Sequence, residues 1–358
     1  MRIVYLLEGT DPWGGVKAVL EHANGLAGRG HQVLVLSRGP SPAWFPLSPE
    51  FRQVTAFTPG GIPQADYVIG TYWTTVPPAV AAGRGTPVHF CQGYEGDLYL
   101  EGALRAEVDS LYRLPPHTLP SPEACATLRA EIEAVYRLPT LKVTVAPHLK
   151  ALIESRFGQQ CVDVGNGIDL RQFVPGTVCP RRETRRVLVV GPWEWPVKGI
   201  PYVLEGLRQL CERRGDLWVV RASQLPQSEA EHAVGVVDEY HCGVAPYAMP
   251  HLIQGCDLFV GGSTEAEGFG LSAVEAMACG VPCVLTEIPS YLGFGSGREY
   301  ARFVPPRDPV AVAEAVHEVL SDPELWGQLR AAGLEVASRH PVEAVVERLE
   351  RVLLDQLP

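Results

Sequence analysis

Short apolar runs rich in valine and isoleucine alternate with stretches of helical periodicity along this chain, and that alternation constrains its fold more than any other feature. "RIVYLL", "HQVLVLS", "ADYVIGTY" and "PVHFCQ" are separated by turn residues or by helical patterns such as "GGVKAVLEHANGLAGRG". Strand–helix alternation implies a parallel sheet, because parallel neighbours need a long crossover. A second series starts at "RRVLVVG" and continues through "DLWVVRAS", "DLFVGGS" and "VPCVLTE", with helical patterns over 201–213 and 271–279. Two α/β halves follow, as a length of 358 residues also suggests. "VGNGIDLRQFVPGTVCPRRETRR" is rich in Gly, Pro and Arg and poor in periodicity. The expected division is a first domain over 1–168, a linker over 169–185, a second domain over 186–340 and a closing helix over 341–358. Two such sheets facing one another would put ligand crevices at the C-terminal ends of their strands.

The charge balance narrows the partners. A net charge of −11 argues against broad contact with nucleic acid or an anionic bilayer. The one basic cluster, Arg181, Arg182, Arg185 and Arg186, is expected to be a solvated linker. No run approaches the ~18–20 apolar residues of a membrane span, and "MRIVYLLEGTDPWGG" fits a first strand better than a signal peptide. A cytoplasmic location is the resulting expectation. The nine cysteines show no Cys-x-x-Cys spacing and sit mostly in apolar surroundings, as reduced buried thiols do.

Function concentrates in "EGFGLSAVEAMACGVPCV", residues 267–284. "CDLFVGGS" is a strand, "TEAEGFG" the loop leaving its C-terminal end, and "LSAVEAMAC" a helix closed by Gly280 with Pro282 soon after. Gly268 and Gly270 allow backbone N–H groups to approach a ligand, and the helix dipole favours an anion there, a phosphate being the natural guest. Glu275 lies among Ala273, Val274, Ala276, Met277 and Ala278, so burial demands a partner for it. A ribose offers two adjacent hydroxyls; an arginine from a neighbouring element is the alternative. Gly268, Gly270 and Ala273 also fit a dinucleotide fingerprint, with Glu287 about 20 residues on. Against that reading, "GGSTEAE" separates the first glycine from the strand, and Glu265 and Glu267 would repel a pyrophosphate.

The same residues carry a family resemblance. "EGFGLSAVEAMACGVP" resembles the Glu-x7-Glu motif of retaining glycosyltransferase family 4, a GT-B class using nucleotide-sugar donors. The likeness runs through nearly the whole chain: "GGVKAVLEHANGLAGRGHQVLVLS", "VGNGIDLRQFVP", "VLVVGPWEWPVKGI" and "MPHLIQGCDLFVGGSTEAEGFG" are each similar to a family segment. It implies two Rossmann-like domains facing across a deep cleft, with a C-terminal helix crossing back to the first. It further implies that Lys198 binds the donor pyrophosphate, Glu275 the ribose and Glu267 the transferred sugar. The N–H groups of Phe269, Gly270 and Leu271 would hold phosphate oxygens, and Gly14 and Gly15 would let the first domain close over the donor. The reaction needs no metal or cofactor on this reading, the chain has no Asp-x-Asp, and the donor is a UDP-, GDP- or dTDP-sugar. The physics agrees, since departure of a diphosphate builds negative charge that fixed cations and aimed N–H donors stabilise. Lys198 is one of only four lysines, with Lys17, Lys142 and Lys150, which makes its place at a strand-end Lys-Gly turn notable.

Two departures stand out. The family's Arg shortly before the Lys is replaced by Pro192, followed by Trp193. Gln92 stands near the expected first-domain His, while His89 is expected in the core. Gln92 is a catalytic candidate with Lys198 and Glu267, or a sugar or acceptor contact; Glu95, His148, Asn166 and Trp193 are candidate sugar or acceptor contacts, with simpler loop, turn or capping roles for several of them. Trp44, Phe45, Tyr72 and Trp73 suggest a stacking platform or core packing. The acceptor is expected to be a glycan, lipid-linked or small-molecule hydroxyl, with a soluble one preferred. The alternatives are a nucleotide-sugar epimerase or hydrolase, and a degenerate GT-B subunit that binds without transfer.

Overall fold

The apolar runs become the central strands of two parallel sheets. The computed structural model describes residues 1–99, 110–112, 120–176 and 183–356. The first sheet contains β1 (Arg2–Leu7), β2 (Gln32–Ser37), β3 (Glu50–Gln53), β4 (Tyr67–Gly70), β5 (Thr86–Cys91), β6 (Leu141–Thr144) and β7 (Cys161–Asp163), in the order β3-β2-β1-β4-β5-β6-β7. The second contains β8 (Arg185–Val190), β9 (Leu217–Ser223), β10 (Glu239–Cys242), β11 (Leu258–Gly261), β12 (Cys283–Thr286) and β13 (Arg302–Val304), in the order β10-β9-β8-β11-β12-β13. Every described pairing is parallel. The strand order reverses direction at β1/β4 and at β8/β11, and at such switch points an open α/β sheet binds ligands. β1, β4, β11 and β12 are buried along nearly their whole length, as strands covered on both faces must be.

The chain divides into two compact units. One holds Met1–Tyr99, Pro122–Gly167 and the segment from Val342; the other holds Ile168–Pro341 together with Tyr112. The stretch expected as a linker is not one over its described part. Phe173 is buried, the Gly176 N–H donates to the Cys279 carbonyl at 3.1 Å, and the Gln254 amide donates to the Val174 carbonyl. Arg185 and Arg186 open β8 and pair with Asp257 and Glu239, while Arg181 and Arg182 lie outside the described residues. The helix Val342–Asp355 belongs to the first unit. Its Val346 fills the space beside Gly25 of the Gly14–Gly28 helix, its Leu353 carbonyl accepts from the Tyr67 hydroxyl, and Glu350 receives Arg29 and His31.

The first unit's core encloses polar groups. Lys142 is 0% exposed, and its ammonium donates to the Leu138 carbonyl at 2.9 Å and to Thr140 Oγ1 at 3.0 Å. In register with it, His89 is fully buried, its ring 4.6 Å from that of Tyr136, and neither ring nitrogen has a hydrogen-bond partner among the described residues. His89 is thus a core histidine, as expected. Burial, with a smaller contribution from Lys142, pushes its pKa down from 6.5 to about 3. The folded state holds this imidazole neutral while the unfolded chain protonates it. Its contribution to stability is therefore complete above pH 6.5 and lost as pH falls toward about 3, at roughly 1.4 kcal/mol per pH unit. The denaturation midpoint should fall over that window, and His89→Met should shallow the decline; an identical decline in the variant would show that other groups cause it.

Candidate functional site

Two loops leave the second sheet at its switch point and are tied together. The loop after β8 passes through Pro192, Trp193 and Trp195 to a short helical turn, Pro196–Lys198, and the loop after β11 runs from Gly262 to Gly270. The Thr264 N–H donates to the Val197 carbonyl at 2.8 Å. Gly199 follows Lys198 with φ +59°, and a Cβ there would lie 1.9 Å from the Gly262 carbonyl oxygen. Only glycine permits both the left-handed backbone and the close approach. Gly199→Ala should therefore cost about 1–3 kcal/mol by overpacking and strain, read as a lower thermal midpoint; an unchanged midpoint would show that the loops are not held this way.

This packing brings Lys198 and Glu267 together. Lys198 Nζ donates to Glu267 Oε2 at 2.8 Å, with the two side chains 26% and 10% exposed. The same carboxylate oxygen accepts from Ser263 Oγ at 2.7 Å, and Ser263 Oγ accepts from the Tyr291 hydroxyl at 3.0 Å. Thr286 Oγ1 anchors the Ser263 carbonyl, and the Tyr300 hydroxyl anchors the Tyr291 carbonyl. Burial, reinforced by the Glu267 charge, raises the Tyr291 phenol well above its ordinary pKa, so it remains a donor. The chain Tyr291–Ser263–Glu267–Lys198 holds the carboxylate in one orientation. Tyr291→Phe should cost about 1 kcal/mol of stability, measurable by denaturant unfolding; no loss would mean the hydroxyl has an equivalent partner in the unfolded chain.

Behind the loop stands the helix Leu271–Ala278. Gly270 caps it with φ +91° against the Tyr291 ring, and Phe269 packs on Phe294 and His340 at 5.3 and 5.5 Å between ring centres. The N–H groups of Phe269, Gly270 and Leu271 donate to no protein group among the described residues. They form an anion-receptive helix start next to the Lys198–Glu267 pair. Glu275 is 9% exposed between buried Val274 and Ala276. Glu265, two residues before Glu267, is held by both guanidinium arms of Arg307, at 2.6 and 3.1 Å, and this ion pair lowers the Glu265 pKa. Arg307 adopts φ +61°, alone among described non-glycine residues in having positive φ. Among the described residues no His, Cys, Asp or Glu cluster is arranged for a metal ion.

The remaining candidates, Trp193 excepted, lie in the first unit. Gly14 and Gly15 are the opening residues of a helix rather than a free loop, and a Cβ on Gly15 would lie 3.2 Å from Gln92 Oε1. Glu95 accepts from the Tyr136 hydroxyl at 2.6 Å, and burial raises its pKa. His148 is half-buried, the second residue of the helix Pro147–Phe157. Asn166 is 5% exposed, and its Oδ1 accepts from the Gly167 N–H, a turn arrangement. Trp44, its indole N–H on the Thr10 carbonyl, packs edge-on against Phe45, and Tyr72 and Trp73 pack together, all half-buried. Trp193 needs correction as a candidate ligand contact. It is 2% exposed within the second unit's core, and its indole N–H donates to the Tyr112 carbonyl at 2.8 Å.

These features define a class: two Rossmann-like sheets with a helix returning to the first unit are the GT-B fold. A sucrose-phosphate synthase from Thermosynechococcus elongatus shares it, with a TM-score of 0.77 at 16% identity over 99% of each chain. So does the Anabaena protein HepE, solved with UDP-glucose, with a TM-score of 0.75 at 15% identity over 99% of this chain and 100% of that one. Residues 184–322, within the second unit, match the family model described as "Glycosyl transferases group 1", in agreement with the resemblance to family 4. A phosphatidyl-myo-inositol mannosyltransferase from Mycolicibacterium smegmatis is 24% identical over 200 residues, 54% of this chain and 52% of the relative. An MMP alpha-(1->4)-mannosyltransferase from Mycolicibacterium hassiacum is 28% identical over 191 residues, 50% of this chain and 45% of the relative. The chain thus spans about half the length of the curated relatives it matches. No described helix is long and apolar enough to cross a membrane.

Proposed function

We propose that this protein is a retaining glycosyltransferase that moves a hexosyl group from a nucleoside-diphosphate sugar to an acceptor hydroxyl, with charge stabilisation supplied by its own side chains. The observation that carries the reading is the Lys198–Glu267 pair beside an N–H-rich helix start at the β8/β11 switch point. A diphosphate there meets a fixed ammonium and aimed N–H donors, both complementary to charge that grows as the glycosidic bond breaks. Glu267 accepts sugar hydroxyls, and Glu275, one turn into the helix, accepts the ribose hydroxyls. The acceptor oxygen attacks from the face the diphosphate leaves, and a phosphate oxygen takes its proton. The mannosyltransferase names of the curated relatives support a hexosyl donor; the acceptor class is a glycan, lipid-linked or small-molecule hydroxyl. A cytoplasmic location fits a nucleotide-sugar donor.

The test is incubation with UDP-, GDP- and dTDP-hexoses and a panel of hydroxyl acceptors, reading diphosphate release and the anomeric configuration of the product by NMR. Release with retained configuration supports the reading, and inverted product contradicts the retaining mechanism. Binding without release would establish the second reading, a GT-B subunit without transfer, which Pro192 and the buried Trp193 in place of a second cation favour.

A further inference from the structure

A buried ion pair outside the machinery described so far lies against the end of β8, from which the loop leading to Lys198 departs. Arg221 on β9 and Glu231 in the short helix Glu229–His232 are both 0% exposed, with Arg221 Nε 2.7 Å from Glu231 Oε1. The two other guanidinium nitrogens reach across to β8, one donating to the Val189 carbonyl at 2.7 Å and the other to the Gly191 carbonyl at 2.7 Å. The register of β8 with β11 runs only to Leu188↔Phe259, so these carbonyls lie where the strands part at the switch point. Gly191 in turn abuts Lys198: a Cβ on it would come within 3.1 Å of Lys198 Cγ. One planar cation therefore fixes the backbone on which the Lys198 side chain rests.

A buried ion pair is weak evidence of stabilisation, because replacing one by apolar residues of similar volume is often neutral or stabilising. We propose that Arg221, oriented by Glu231, is a positioning residue for Lys198, setting the aim of the ammonium toward the diphosphate. The proposal rests on the reading above, in which Lys198 contacts a diphosphate.

The experiment compares two ligands, a nucleoside diphosphate and its parent nucleoside (UDP with uridine, GDP with guanosine), by calorimetry on the full chain. The double variant Arg221→Met/Glu231→Leu removes both charges, so neither remains buried alone. It should lose about tenfold in diphosphate affinity while nucleoside affinity stays within about twofold, since a displaced side chain weakens only the contacts it makes. Arg221→Lys keeps the charge without the two-armed geometry, should fall between, and carries the test if the double variant fails to fold. Equal losses for both ligands, or none, would overturn the proposal. Lys198→Ala separates the two levels of inference. If it leaves the preference for diphosphate over nucleoside unchanged, the diphosphate role of Lys198 falls and this proposal with it. If it abolishes the preference while the Arg221 variants retain it, only the Arg221 proposal falls.

Discussion

Glu275→Ala is expected to lower affinity for the donor nucleotide by at least about 100-fold while leaving the protein folded. A carboxylate accepting two ribose hydroxyls makes two hydrogen bonds to a charged group, each worth about 1.5–3 kcal/mol, and alanine makes neither. The helix should tolerate the change. Alanine is a better helix former than glutamate, and the neighbours Ala273, Val274, Ala276 and Met277 are already buried and apolar. Glu275→Gln keeps the volume and should lose most of the same affinity, because the charge strengthens both bonds. Thermal unfolding separates binding from folding: lost affinity with an intact midpoint supports the ribose role. Lost affinity with a collapsed midpoint would assign Glu275 a structural ion pair.

Lys198→Ala should reduce turnover about 100-fold or more, because a fixed charge aimed at the departing group is among the largest single contributions an active site makes. The variant also removes the Lys198 ion pair from a nearly buried carboxylate that Ser263 still holds. It should therefore lose stability as well. Adding Glu267→Gln to Lys198→Ala removes the buried negative charge and should recover stability without restoring turnover. That divergence is what distinguishes catalysis from packing. Recovery of both in the double variant would mean that the lysine serves only to neutralise the carboxylate.

The sequence disclosed the central strands because a strand buried on both faces is a run of apolar residues, as "RIVYLL" and "LFVG" are. The sheet margins escaped it. β3 is "EFRQ", β7 "CVD", β10 "EYHC" and β13 "RFV", edge strands too short and too polar to leave a pattern. β6 was hidden by Lys142 in its middle, whose ammonium is satisfied inside the fold. Within the candidate site, the burial of Glu275 was legible from its apolar helix, whereas the pairing of Lys198 with Glu267 was not, since 69 residues separate them. Tyr291 was not legible either, lying 28 residues from Ser263 with no spacing to tie them, and the Arg221–Glu231 pair was equally silent. Such contacts are set by strand order, which a local pattern does not encode. Trp193 misled for the opposite reason: an aromatic residue in a strand-end loop suggests a ligand contact, and here it folds back into the core.

The central claim is that the second unit binds a nucleoside diphosphate through Lys198, the 269–271 backbone and Glu275. It is tested most directly by calorimetric titration of the purified protein with UDP, GDP, dTDP, ADP and NAD, with and without magnesium. The account predicts saturable, magnesium-independent binding of one nucleoside diphosphate that disappears in Glu275→Ala. Binding of NAD alone, or of none of the five, would contradict it.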